Sequence, residues 1–483
     1  MTAIAFPPPD AAILARRAEI VAGLVGILGW DGVIDSANER RAYETDALTA
    51  YRQLPLAVVL PRSTEEVSKV MAFLDREGVK VIARGAGTSL VGGALPTEDA
   101  VVLGLSRLNT IAEIDTANRT ARVGAGVTNL AITGAVSHRG FFYAPDPSSQ
   151  LACTIGGNIA MNSGGAHCLK HGVTTNNVLG VTMVLVDGTV VEIGGAALDS
   201  AGYDLLGLVV GSEGQLGVVT EATVRILRSA EGARPMLMGF QSAADAGACV
   251  AAIIAAGILP VAIEYMDGPA IKACEDFAHA GYPLDVEALL IVEVEGSPAE
   301  VADLLARIQA IAGAYRPSVV RISQSEAESA AIWKGRKAAF GAMGQIADYL
   351  CMDGVIPTGR LPEVLVRVGE ICASYGLPVA NVFHAGDGNL HPLILFDANK
   401  PGEQEKAERA GADILKLCVE MGGCLTGEHG VGIEKRDLMR VQFTPADLDL
   451  QMRVKSAFDP AWRLNPAKVF PLDGRPAVGA GGF

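Results

Sequence analysis

Val79-Lys80-Val81-Ile82-Ala83-Arg84-Gly85-Ala86-Gly87-Thr88-Ser89-Leu90-Val91-Gly92-Gly93 is the stretch that decides the fold. Residues 79–83 are apolar and β-branched and read as a strand. A glycine-rich loop follows. A Rossmann fingerprint would need a third glycine at position 90 and a helix opening there. The chain has Leu90 instead, and Gly92, Gly93 and Pro96 discourage a helix. The loop can still cradle a pyrophosphate on its backbone N–H groups, because glycine permits close approach and unusual φ. Taken alone, a plain structural turn explains it as well.

Upstream, residues 56–60 read as a short strand, and Ser63 or Thr64 is placed to cap a helix running to about Glu77. The result is a β-α-β start. Downstream, Thr128 is placed to cap a helix from Asn129 to about Arg139. Residues 181–186 and 189–193 flank Asp187-Gly188, a hairpin signal with a type I′ turn. Residues 220–227 alternate like another strand. Strands, helices and hairpins mixed in this way give an α+β fold class. Two further glycine-rich segments, 153–165 and 211–219, suggest backbone lying close against a flat ligand, with tight packing of turns as the plainer alternative. Near 229–235 the chain turns charged and proline-bearing, which marks a boundary. Beyond it come strand 236–240, helix 243–256 and strand 259–265, then helices at 298–315, 326–343, 361–375 and 403–421.

The 483 residues carry 39 Lys+Arg against 54 Asp+Glu, a formal charge of −15. Two or three domains are expected at this length. An acidic surface repels phosphate backbones and argues against a nucleic-acid partner. None of the 8 cysteines stands in a CxxC pair, so no zinc ribbon or ferredoxin-type cluster can be read. They read as reduced cytosolic thiols, mostly buried. Arg16-Arg17 before an apolar run loosely mimics an export signal. Glu19 and Asp31 interrupt and close that run, which favours an amphipathic first helix. No membrane-spanning stretch is expected.

Chemistry concentrates in Val382-Phe383-His384-Ala385-Gly386-Asp387-Gly388-Asn389-Leu390-His391-Pro392. A hairpin centred between Asp387 and Gly388 puts His384 opposite His391, with Cβ atoms about 4.5–5.5 Å apart. Two imidazoles on one face form a clamp for a divalent metal. Glu428, in Thr426-Gly427-Glu428-His429-Gly430, offers a carboxylate as third ligand, and His429 beside it is a candidate base. Arg336, on a helical stretch, could hold a carboxylate with its two-point fork, unless it lies on a solvated helix face.

Together these motifs resemble the FAD-linked oxidases of the vanillyl-alcohol-oxidase fold, in the branch of the D-lactate and D-2-hydroxyglutarate dehydrogenases and nearest the catalytic flavin subunits of bacterial glycolate oxidase. The likeness spans about residues 15–472 and rests on RGAGTSLVGGA, PDPSS, CTIGGNIAMNSGG, GSEGQLGVVTEAT, WKGRKAAF, HAGDGNLHP, GEHGVGIEK and LNPAKVF. It implies a two-subdomain FAD-binding domain over 51–230, preceded by a helical segment over 1–50. An α+β cap domain with the metal site should span 231–430. Residues 431–472 should return to the FAD domain, and 473–483 form a tail. It implies that Arg84, Gly85, Ala86, Gly87, Thr88, Ser89 and Gly92 hold the pyrophosphate. Pro145, Asp146, Ser148, Gly156, Gly157, Asn158, Asn162 and Gly164 would line the flavin, and Gly214, Gly217, Val219 and Asn465 complete the cleft. His384, His391 and Glu428 match the family's metal ligands for zinc, manganese or iron, His429 its base and Arg336 its carboxylate anchor. The implied reaction is oxidation of a small 2-hydroxy acid, glycolate or D-lactate. A lysine that the 2-hydroxyglutarate branch carries before its Asp-x-x-(Ile/Leu)-Pro segment is missing from Tyr349-Leu350-Cys351-Met352-Asp353. Implied partners are an iron–sulfur subunit and a second flavin subunit, giving a cytoplasmic chain held at the inner membrane only through them. A non-catalytic flavin subunit should lack the metal histidines, and a flavin-free metallohydrolase would not need the glycine-rich segments.

The family's covalently attached flavin requires a histidine in the pyrophosphate loop, and none stands between Arg84 and Gly93. Acid or heat denaturation should therefore release all FAD into the supernatant. Flavin retained on the precipitated polypeptide would refute non-covalent attachment.

Overall fold

The computed structural model describes residues 4–197 and 202–473. Residues 474–483, most of the expected tail, lie outside them. The chain divides into two compact units. The larger comprises Ile4–Ser163, Val173–Arg228 and His429–Phe483; the smaller comprises Gly164–Gly172 and Ser229–Glu428.

The larger unit holds a four-stranded sheet in the order Val33–Ile34, Ala57–Val59, Ala100–Gly104, Lys80–Arg84, parallel except for its first pair. Helix Thr64–Glu77 makes the crossover. The Ser63 side chain accepts from Glu66 N at its start, and Gly78 ends it in the left-handed region. Val67, Val70, Met71 and Leu74 fall on one face at helical spacing and bury against Val59, Val81 and Leu103. Helix Arg17–Leu28 adds Ile20, Val21 and Leu24 to the same core. No helix opens after Arg84, so the loop is not of Rossmann type.

A second sheet, antiparallel, runs Ile111–Asp115, Thr120–Gly124, Val218–Arg225, Val178–Val184, Val190–Gly194. Two local expectations need correction here. Thr128 stands at the start of helix Asn129–Val136 but makes no side-chain capping bond. The turn after Val184 is not type I′, which needs positive φ at both central residues. Only Gly188 has it, at 88°. Gly188 N donates to Leu185 O at 3.0 Å and Leu185 N to Thr189 O at 2.8 Å, so three residues form the loop. Asp187 accepts from Thr189 N at 2.9 Å, an Asx-type bond that suits this longer turn.

The smaller unit is built on a seven-stranded sheet in the order Val319–Ile322, Gly232–Phe240, Ala288–Gly296, Ala262–Asp267, Val379–His384, Pro392–Phe396, Asp348–Cys351. Every neighbouring pair is antiparallel. Helices Gly268–Ala278 and Glu326–Gly344 cover one face, where Ile271, Cys274, Ile332, Trp333 and Met343 join Met266, Ile291, Val382 and Leu393 in one core. The first of these helices was not expected from sequence. Asp267 caps it by accepting from Ala270 N.

Residues 459–465 return to the four-stranded sheet of the larger unit. Asn465 N donates to Val81 O at 2.8 Å, and Leu464 bridges Val81 in parallel. One buried lysine ties this segment down. Lys455 Nζ donates to Gln215 O (2.6 Å), Leu464 O (3.1 Å) and Asp459 Oδ2 (2.6 Å). Asp459 in turn accepts from Leu464 N at 2.7 Å and Arg463 N at 3.0 Å. Removing one partner of a buried pair strands the other charge. Lys455→Ala should cost about 3–5 kcal/mol of stability, read as a lowered denaturation midpoint. An unchanged midpoint would show that the pair contributes nothing.

Candidate functional site

In the larger unit the glycine-rich segments converge on Asn465. Its Nδ2 donates to Gly93 O (3.2 Å) and Glu213 O (2.5 Å), and its own carbonyl accepts from Gln215 Nε2 (2.8 Å). The loops 84–93 and 211–217 are thereby held by one amide. Arg84, buried at the end of its strand, donates to Thr45 O at 2.7 Å and lies over the Tyr43 ring. Gly87 has φ 75°, and a Cβ there would stand 2.1 Å from Arg84 Nη2. A Cβ on Gly85 would meet Thr154 Oγ1 at 2.3 Å, and one on Gly156 would meet Ala125 at 2.8 Å. Ser89 Oγ accepts from Gly93 N at 3.1 Å and closes the loop on itself. Around this bed Thr154 Oγ1 and Asn465 Oδ1 are buried without a protein partner among the described residues. Bare backbone beside unsatisfied buried polar atoms fits a polar, flat-sided cofactor.

The other residues expected at the cofactor are spread more widely. Ala86, Thr88 and Gly92 lie on the loop 84–93, and Gly157 lies in the helix Ile155–Met161. Gly214 packs near Asn465, Gly217 against Met183, and Val219 is the second residue of the strand Val218–Arg225. Pro145 O accepts from Asn129 Nδ2 at 3.0 Å, Asp146 is half-buried and Ser148 is exposed. Asn162, left-handed at φ 53°, accepts from Thr175 N at 2.8 Å. Gly164 belongs to the smaller unit. A Cβ on it would stand 2.6 Å from Glu428 Oε2, so it borders a candidate metal ligand.

In the smaller unit His384, His391 and Glu428 come together. Glu428 Oε1 lies 3.3 Å from His384 Nε2 and 3.0 Å from His391 Nε2. Two ligands about 2.1 Å from one ion stand roughly 3.0–3.4 Å apart at octahedral to tetrahedral angles, so the donor set fits a divalent cation. The register differs from the expected hairpin. Asn381 pairs with Pro392, and the bridge partner of His384 is Asn389, not His391. The pairing has slipped by two residues, which keeps side chains on their face and makes the histidines diagonal neighbours. Their rings still meet edge to face with centroids 5.1 Å apart. Gly388 lies in the turn of the slipped pair. It turns at φ 77°, and a Cβ would sit 2.0 Å from Ile356 O.

Glu428 is presented by Asp353, which is fully buried at the end of the segment after strand Asp348–Cys351. Asp353 accepts from Gly427 N (3.1 Å), Glu428 N (3.1 Å) and Thr426 Oγ1. Burial alone would raise the Glu428 carboxyl, but bonds from His384 and His391 hold it well below the usual carboxylate range. Burial would likewise depress His384, yet the Glu264 and Glu428 carboxylates push it well above the ordinary histidine value. A metal would thus displace a proton from His384.

Arg336 is buried, at 4% exposure, so the solvated-face alternative fails. Its fork is not open, however. Nε and Nη2 both donate to Glu264 Oε2, at 2.7 and 2.6 Å, and Glu264 Oε1 lies 2.8 Å from His384 Nδ1. Arg336 therefore stands one residue removed from the metal-ligand trio and has only Nη1 outside this pairing. Glu264 escaped the sequence reading. Its signal was a lone acid inside the apolar strand Ala262–Asp267. His429 opens the last stretch of the larger unit, directly after Glu428. Glu213, fully buried, accepts from Val431 N (2.6 Å) and Gly432 N (2.8 Å) and fixes the backbone just beyond it.

Comparison with known proteins matches residues 55–194 to the FAD binding domain family and residues 230–469 to the C-terminal domain of FAD linked oxidases. The chain is 50% identical to the glycolate oxidase subunit GlcD of Escherichia coli over 440 residues, 91% of this chain and 88% of that one. It is 38% identical to the Bacillus subtilis subunit of the same name, covering 94% and 97%. A D-lactate dehydrogenase of Archaeoglobus fulgidus is 33% identical, covering 90% and 96%. Among solved structures, p-cresol methylhydroxylase superposes with TM-score 0.79 at 16% identity, covering 96% of this chain and 98% of that one, which shows the fold.

Removing the Asp353 carboxylate unties three donors around Glu428, each charge-assisted bond being worth about 1.5–3 kcal/mol. Asp353→Ala should lower stability and weaken divalent-metal binding by about 10–100-fold, the usual effect of losing an outer-shell support. Chelator competition checks it. Unaltered metal affinity would show that Glu428 does not depend on this scaffold.

Proposed function

The chain belongs to the FAD-linked oxidases, and from that premise we propose that it is an FAD-dependent 2-hydroxy-acid dehydrogenase that oxidises glycolate to glyoxylate as the catalytic flavin subunit of a glycolate oxidase. The reading is carried by 50% identity over 91% of the chain to a glycolate oxidase subunit. Similarity to D-lactate dehydrogenases favours D-lactate, oxidised to pyruvate, as a second substrate of the same site.

FAD would supply a two-electron acceptor, and a divalent ion, which His384, His391 and Glu428 would hold, would supply a Lewis acid that lowers the pKa of a 2-hydroxyl. Arg336 binds the substrate carboxylate. With two of its nitrogens on Glu264, it does so with Nη1 rather than with the whole fork. His429 takes the hydroxyl proton on its imidazole as general base. The residues Arg84–Ser89, Gly92, Pro145, Asp146, Ser148, Gly156, Gly157, Asn158, Asn162, Gly214, Gly217, Val219 and Asn465 hold FAD non-covalently, supported by the bare-backbone bed around Thr154 and Asn465.

Reduced flavin needs an outlet. The chain has no cysteine spacing for a cluster and no Rossmann loop for a nicotinamide. An iron–sulfur subunit and a second flavin subunit would take up the electrons, a reading supported by the word subunit in the relatives' names. No helix among the described residues is long and apolar enough to cross a membrane. Through those partners the chain would reach the inner membrane from the cytoplasm.

The test is anaerobic bleaching of the bound flavin by a panel of hydroxy acids. Glycolate and D-lactate should bleach it and 2-hydroxyglutarate should not. NAD should stay oxidised. His391→Ala should abolish bleaching and lower metal content while FAD remains. A flavin that no 2-hydroxy acid reduces, or a His391→Ala variant with full turnover and metal, would overturn the reading.

A further inference from the structure

Glu264 sits on the central strand Ala262–Asp267, in direct register with His384 of the next strand, and is 1% exposed. One carboxylate oxygen meets His384 Nδ1 at 2.8 Å. The other takes Arg336 Nε and Nη2 at 2.7 and 2.6 Å. On the far side of the same imidazole, Nε2 faces Glu428 Oε1 at 3.3 Å. We propose that Glu264, held by Arg336, is the positioning residue of the metal centre and fixes the coordinating tautomer of His384. The inference rests on the metal reading above and goes beyond it.

The argument is one of donors and acceptors. A carboxylate only accepts, so the neutral imidazole must carry its proton on Nδ1. The lone pair is then on Nε2, facing Glu428, where a metal ligand is needed. Arg336 only donates, and by occupying the second oxygen it keeps Glu264 charged and in one orientation. Ring position is set independently by the antiparallel register, since Glu264 lies opposite His384. An ordinary buried ion pair would explain Arg336 with Glu264, but not the aligned bond to the rear nitrogen of a residue whose front nitrogen meets a second carboxylate.

The donor logic gives a test that shape alone does not. In Glu264→Gln the amide oxygen must turn to Arg336, because guanidinium cannot accept. The new NH2 then faces Nδ1 and forces the imidazole proton onto Nε2, where it blocks coordination. Zn2+ affinity of the full-length, FAD-loaded protein, measured by competition with a chromophoric chelator, should fall about 10–100-fold, with FAD content unchanged. In the double variant R336M/E264Q the amide is free to turn its oxygen to Nδ1–H, and most of the lost affinity should return. Full affinity in E264Q alongside a large loss in H384A would overturn the proposal, as would a double variant no better than E264Q. Unchanged affinity in H384A would instead remove the metal reading itself, and this inference with it. If E264Q fails to fold, R336M/E264Q and R336M/E264L decide, since neither buries a charge at the pair. Tighter Zn2+ in the first supports the assignment, and equal affinity refutes it.

Discussion

A carboxylate at the middle of a seven-stranded sheet is a severe constraint, and the smaller unit is arranged around it. Desolvating an isolated charge costs several kcal/mol even after relaxation, so Glu264 must be met by donors from elements that cannot drift away. Helix Glu326–Gly344 brings Arg336 and strand Val379–His384 brings His384. Neighbouring Glu293 repeats the pattern on the next strand, accepting from Trp333 Nε1 at 2.8 Å and lying 3.1 Å from His167 Nε2. Trp333 and Arg336 are one helical turn apart, so a single helix supplies a donor to each acid. The polar row forces the packing of that helix as firmly as the apolar contacts beside it.

The larger unit meets a different constraint, close approach of backbone to backbone. Glycine segments far apart in sequence fold against each other only if something other than side-chain packing aligns them. Asn465 does so, bonding to Gly93 and Glu213 while Leu464 and Asn465 extend the sheet beside Val81. The stretch 464–465 thus closes the cradle. Lys455 supports it from beneath through Gln215 and Leu464. The geometry of residues 84–93 therefore depends on residues some 370 positions later.

What could be read from sequence was whatever declares itself locally. The Ser63 cap, the helix over residues 361–375 and the absence of a Rossmann helix after Arg84 follow from neighbouring residues, and the structure has them. The grouping of His384, His391 and Glu428 was legible because the chain has only 7 histidines and Glu428 lies on a glycine-flanked loop. Its register was not, because the turn packs against a distant segment, Ile356 N donating to Gly388 O at 3.0 Å. The hairpin at Asp187-Gly188 misled in the same way, since dipeptide statistics cannot tell a two-residue loop from a three-residue one. Glu264 and the engagement of Arg336 were invisible, because a single acid in an apolar strand declares no partner. Such residues mark where tertiary structure overrides local pattern.

The same sheet face bears on which acid the proposed site would take. Strand Asp348–Cys351 runs beside Pro392–Phe396 with Tyr349 opposite Leu395 and Cys351 opposite Leu393. Tyr349 and Cys351 therefore share a face, and the Phe340 ring touches both Tyr349 and His391. Neither position carries a charge, and no residue of that strand is cationic. Arg336, the buried cation on that face, already has two nitrogens on Glu264. A second substrate carboxylate reaching toward this strand would be desolvated against a phenol, a phenyl ring and a thiol, with no cation to meet it. An unpaired buried charge costs far more than the few kcal/mol that an extra pair of methylene groups could return. A short acid with one carboxylate would leave no such charge behind, so in the proposed reaction the uncharged strand would select by penalty rather than by attraction.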